Sequence, residues 1–150
     1  MWPTKKLGEM PDEEIKVRLG SALDQLFKND AFLFQAKTNE RSVAHKLAGY
    51  LQMQFSGWDV DCEYNRHGLE IKRLGGELVY PDIVIHHRGF KENLLVVELK
   101  TSGGSNTEDI KKLEKFTAVG EYEYKIGVFL RLQDMSIEEF IWFKNGRQTS

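Results

Sequence analysis

Pro81-Asp82-Ile83-Val84-Ile85-His86-His87-Arg88-Gly89-Phe90-Lys91-Glu92-Asn93-Leu94-Leu95-Val96-Val97-Glu98-Leu99-Lys100 is the stretch on which the fold turns. Two apolar runs rich in β-branched residues, Ile83–Ile85 and Leu94–Val97, flank a polar segment that contains Gly89. Such a pattern predicts two strands joined by a turn. The second run is apolar on consecutive positions, as in a central strand covered on both faces. An acid bounds each run at its outer end, Asp82 on one and Glu98 on the other. With the hairpin symmetric about Phe90, position i faces position 180 minus i, so Asp82 falls opposite Glu98. Facing side chains on adjacent strands have Cβ atoms about 5 Å apart. Lys100 lies two residues past Glu98 and therefore shares its face.

Outward from the hairpin, Trp58, Val60, Cys62 and Tyr64 alternate with acids and read as a half-buried strand. Residues 65–77 read as an irregular excursion that leads into a strand from Leu78 to His86, with Leu94 to Lys100 the next. An amphipathic helix is expected over 11–28, where Ile15, Leu19, Leu23 and Leu26 share a face behind Pro11 and three acids. Phe32-Leu33-Phe34 is a short apolar piece. A second helix runs from Glu40 to Phe55, with Thr38 and Asn39 as candidate caps and Gly57 as its stop. Beyond the hairpin, Gly103-Gly104-Ser105-Asn106 is a loop and Thr107 caps a third helix. Lys125 to Leu132 is a buried strand and Ile137 to Phe143 an edge element. The order predicts an α/β fold, a mixed sheet flanked by helices.

The chain has 150 residues, which suits one domain, and 41% apolar against 29% charged residues excludes a disordered class. No window is apolar enough to span a bilayer, and the opening Met1–Lys6 has no apolar run behind its lysines. Cys62 is the single cysteine, so neither an internal disulfide nor a cysteine zinc site is available. The expected setting is a reducing one, most simply the cytoplasm. A formal net charge of −2 argues against a strong non-specific nucleic-acid binder, so any such surface must be a local patch.

Facing carboxylates repel and require a cation, a shared proton or open solvent. Oxygen ligands at this separation suit a hard divalent ion such as magnesium. Lys100 beside them can orient or deprotonate a water, or offset charge on a phosphate. The plainer alternative is an ion pair between Glu98 and Lys100 on a solvated sheet face. Glu40 adds a third carboxylate. It opens the second helix on the stripe that continues through Ala44, Leu47 and Leu51, which turns it toward the sheet rather than the solvent. Removing one acid of the Asp82–Glu98 pair is expected to stabilise the fold by about 0.2–1 kcal/mol.

Glu40, Pro81-Asp82 and Glu98-Leu99-Lys100 together resemble the PD-(D/E)XK nuclease superfamily, also called restriction-endonuclease-like, over residues 38–131. The resemblance implies a core at 38–131, an N-terminal helical extension at 1–37 and a C-terminal element at 132–150. It further implies that Asp82, Glu98 and the Leu99 carbonyl hold Mg2+, with Mn2+ as a substitute, and that Lys100 positions the attacking water. Glu40 would support the metal or its water shell. The activity implied is metal-dependent hydrolysis of nucleic acid, DNA foremost. Lys37, Arg41, Lys46, Lys111, Lys112 and Lys115 are candidate phosphate contacts. A homodimer is expected because duplex cleavage needs two cut centres, with Phe140-Ile141-Trp142-Phe143 as the candidate interface. The alternative is a non-cleaving binding or assembly module on the same scaffold. His86 and His87 point to opposite strand faces and read as surface or edge residues. Asp59 and Asp61 share a face that reads as solvated.

Overall fold

A computed structural model describes residues 10–35, 40–62, 72–74 and 77–149. Thr38, Asn39, Lys37 and Tyr64, named above, lie outside the described residues. Four helices are described: α1 (Asp12–Asn29), α2 (Ala31–Gln35), α3 (Glu40–Gln54) and α4 (Thr107–Thr117). The strands are β1 (Asp59–Cys62), β2 (Lys72–Leu74), β3 (Glu77–Val79), β4 (Ile83–His87), β5 (Glu92–Lys100), β6 (Ile126–Gln133), β7 (Ser136–Lys144) and β8 (Arg147–Gln148).

Six strands form one sheet in the order β1-β4-β5-β6-β7-β8, and β2 pairs with β3 apart from it. Every neighbouring pair in the large sheet is antiparallel except β5 and β6. A parallel pair cannot be joined by a tight turn, and α4 supplies the crossover between them. The sheet is therefore mixed, as the sequence predicts. Its β4–β5 register follows the predicted symmetry at Ile83↔Val97, Val84↔Val96 and Ile85↔Leu95. A bulge then shifts His86 onto Asn93.

The alternation of β4 and β5 sends successive side chains to two cores. Ile83, Ile85, Leu95, Val97 and Leu99 pack with α1 and α3, through residues such as Ile15, Leu19, Leu47 and Leu51. Val84 and Val96 pack on the other face with Leu113 and Phe116 of α4 and Phe129 of β6. α1 contributes to the same core as the sheet. Close approach of α4 depends on Gly127. A Cβ there would stand 2.9 Å from Thr117 Cγ2 and 3.2 Å from both Leu113 Cδ2 and Val96 Cγ1. Replacing Gly127 by Ala is expected to lower stability by about 1–3 kcal/mol through overpacking, read from a urea transition.

Two local expectations are corrected and a third is filled in. The strand predicted from Leu78 to His86 is broken at Tyr80–Asp82, because β3 pairs with β2 while β4 joins the main sheet. Phe32-Leu33-Phe34 is helical as part of α2, where Leu33 reaches the core. Thr107 is the first residue of α4 rather than its cap; Asn106 precedes the helix and makes no side-chain cap hydrogen bond. Among the described residues no helix is long and apolar enough to cross a membrane.

Candidate functional site

β4 begins just after Asp82 and β5 ends at Lys100, so the two acids and the lysine meet at one end of the central hairpin. The convergence is fixed by backbone donors. The Asp82 N–H donates to Glu98 Oε2 at 2.9 Å, and the Leu99 N–H donates to Asp82 Oδ2 at 2.7 Å. Each carboxylate thus accepts from the other's strand, which locks the pair in register. Glu40 comes from the opposite face of the sheet. Its Oε1 accepts the Thr101 N–H at 3.1 Å, holding the backbone next to Lys100.

Glu98 is fully buried, on the face covered by α4. Burial and the neighbouring charge of Asp82 push its carboxyl well above the usual range, against the pull of Lys112. Lys112, from α4, places its ammonium 2.5 Å from Glu98 Oε1 and 3.2 Å from the Tyr80 carbonyl. Burial lowers the ammonium's affinity for its proton, but Glu98, Asp82 and Asp109 outweigh it and the balance is raised. Lys100 instead pairs with Asp109 of α4, at 3.4 Å. In place of the plainer alternative, a Glu98–Lys100 ion pair, stand two pairs to α4, because that helix presents Asp109 and Lys112 on the same stripe as the buried Leu113 and Phe116.

This arrangement splits the stability expectation for the two acids. Loss of Asp82 removes a repulsion and one acceptor, and remains close to neutral. Loss of Glu98 leaves the Asp82 N–H without its acceptor and takes the paired carboxylate from the Lys112 ammonium, which keeps the Tyr80 carbonyl. Glu98→Ala is therefore expected to destabilise the fold by about 1–3 kcal/mol, in contrast to Asp82→Ala. Thermal melts of the two variants side by side check the difference.

The other cations divide by exposure. Arg41, Lys46, Lys111 and Lys115 are exposed at the surface of α3 and α4, whereas Lys112 is turned inward. Two site residues carried no sequence signal. Arg131 lies beside Lys100 in the β5–β6 register and is buried. Its guanidinium donates to the carbonyls of Ser102 and Gly104 and pairs with Glu139, pinning the loop after Lys100. Tyr80 contributes a carbonyl through the break between β3 and β4.

The residues expected at the opposite end of the hairpin are corrected. Asp61 is buried rather than solvated. Its carboxylate meets His86 Nε2 at 2.7 Å and accepts from Arg88 Nε at 2.9 Å. His86 is buried against it, while His87 stacks on Trp58 with ring centroids 3.9 Å apart. Of the apolar run near the C-terminus, Phe143 is fully buried and Phe140 is 43% exposed.

Compared with known proteins, the chain matches no family model and no curated sequence. The chemistry of the site must be judged from its donors.

Those donors are hard oxygens: both carboxylates and the Tyr80 carbonyl. They fit a divalent cation in part. Glu98 Oε1 is buried, and the Lys112 ammonium already stands against it at 2.5 Å. Among the described residues no three His, Cys, Asp or Glu side chains group closely enough to hold a metal. Magnesium commonly takes only one or two protein carboxylates and completes its shell with water and phosphate.

Proposed function

We propose that the chain is a metal-dependent nuclease of the PD-(D/E)XK kind, hydrolysing phosphodiester bonds of nucleic acid, DNA in the first instance. The observation that carries this reading is the locked meeting of Asp82 and Glu98 at the end of β4 and β5, with Lys100 on the same strand. Asp82, Glu98 and the Leu99 carbonyl would hold magnesium, which supplies Lewis-acid polarisation of a phosphodiester when bound. Lys100 orients the attacking water and offsets charge on the phosphate. Glu40 steadies the backbone that carries Lys100 through the Thr101 N–H. Arg41 and Lys46 on α3, and Lys111 and Lys115 on α4 across the sheet, are the exposed cations offered to flanking phosphates, with Lys112 added once it leaves Glu98. Two copies of the chain would supply the two cut centres that duplex cleavage needs.

The test is calorimetry with manganese on wild type and Asp82→Ala, followed by a cleavage screen over duplex, branched and single-stranded DNA and RNA. Asp82→Ala is expected to lose metal binding and cleavage with little change in melting temperature. Equal manganese affinity in the two proteins would remove Asp82 from the site and the reading with it.

A second reading is favoured by one observation, the neutralisation of Glu98 by Lys112 and of Lys100 by Asp109. Under it the chain is a non-cleaving binding or assembly module. It then binds nucleic acid or a protein partner with no response to manganese and cuts no substrate in the screen.

A further inference from the structure

We infer that Lys112 is a tethered competitor for the divalent cation, its ammonium holding the position between the Glu98 carboxylate and the Tyr80 carbonyl until a metal displaces it. The inference rests on the metal-site reading above and adds a regulator to that site.

Glu98 has few ways to meet a cation. Its Oε2 is occupied by the Asp82 N–H, and its side chain is 1% exposed. The Lys112 ammonium stands against its other oxygen, Oε1. The same ammonium is bonded to the Tyr80 carbonyl, so it engages the Glu98 oxygen that a metal would use and a second hard oxygen beside it. A metal and this ammonium cannot share the position, because two like charges at contact distance repel strongly in a partly desolvated site.

The geometry also permits release. Lys112 is 23% exposed along its side chain, so its ammonium has a path to solvent while Glu98 has none. The helix itself has no such freedom. The spacing at Gly127 leaves no slack between α4 and β6, and Leu113 and Phe116 of the same helix are fully buried. Exchange therefore happens by rotation of a flexible four-carbon stem rather than by movement of the helix. An ammonium swung to the mouth of the site can meet a phosphate oxygen by a charge-assisted hydrogen bond.

Three variants test the competition, with manganese alone as the probe and circular dichroism to establish folding in each sample. Lys112→Met keeps the stem and removes the charge, and is expected to bind manganese about 10–1000-fold more tightly than wild type. Lys112→Arg keeps the charge and grips a carboxylate in two places, and is expected to bind no more tightly than wild type. Asp82→Ala, in the same titration, is expected to bind in neither background. Manganese should also raise the melting temperature of Lys112→Met by more than it raises that of wild type. Equal affinity in wild type, Lys112→Met and Lys112→Arg overturns the competition and leaves the metal site standing. Weaker binding in folded Lys112→Met also overturns it, by making Lys112 a support for Glu98. Tighter binding in Lys112→Arg overturns it even if Lys112→Met does not fold. Absence of binding in both wild type and folded Lys112→Met, or binding that survives Asp82→Ala, removes the metal-site reading itself.

Discussion

Lys100→Ala is expected to slow phosphodiester cleavage by about 10²–10⁴-fold while manganese affinity stays the same or rises. The metal is held by oxygens, and deletion of a nearby ammonium leaves those oxygens in place with less competing charge. What the ammonium does for the reaction has no substitute on β5, whose other residues, Glu92–Leu99, carry no positive charge. Nucleic-acid affinity should fall only slightly, one phosphate contact among several being lost. The rival account is structural, with Lys100 serving to hold α4 through Asp109 at 3.4 Å. Asp109→Ala separates the two, because it breaks the same ion pair and keeps the lysine. A partly exposed pair of this kind contributes about 0–1 kcal/mol, so neither variant should unfold the protein. Full cleavage by Lys100→Ala, or equal losses in Lys100→Ala and Asp109→Ala, would defeat the catalytic role.

At the far end of the hairpin, Asp61→Ala is expected to cost about 3 kcal/mol and to lower the melting temperature by roughly 10 °C. Asp61 is the shared acceptor of His86 and Arg88, and its side chain is fully buried between β1 and the turn after β4. Removing it strips the buried His86 of its partner, whereas Arg88, 47% exposed along its side chain, can turn to solvent. Acid should act on the same residue. Burial pushes the Asp61 carboxyl up, but hydrogen bonds from His86 and Arg88 outweigh it and hold the group at about 2, below the ordinary 3.8. A depressed carboxyl stabilises the fold fully above its unfolded value and loses that contribution as pH falls toward the folded one. Wild type should therefore lose about 2 kcal/mol between pH 4 and pH 2 that Asp61→Asn does not lose. Parallel acid titrations of the two proteins by circular dichroism would show the gap closing in that window. A constant gap would mean that another carboxylate governs acid stability.

Periodicity and punctuation within the hairpin carried most of what the sequence by itself determined. The pairing of Ile83–Ile85 with Leu95–Val97, the shared face of Glu98 and Lys100, and the inward turn of Glu40 all follow from local geometry. A strand repeats every two residues and a helix every 3.6, so a face can be read from neighbours along the chain. Even Lys112 was legible in this sense. Asp109, Lys112, Leu113 and Phe116 keep the spacing of one helical stripe, but a lysine on a helix is by default a solvated residue.

Tertiary structure alone decided who partners whom. The alternation of β1 marks Asp59 and Asp61 as the polar face, and only the return of the chain with His86 and Arg88 buries Asp61 within it. Glu98 could have paired with Lys100 on its own strand. It pairs with Lys112 because α4, seated against the side-chain-free Gly127, brings a second ammonium within 2.5 Å. The physical reason is that burial and charge pairing depend on distances through space. Those distances are set by how closely distant elements pack, and no local pattern encodes them.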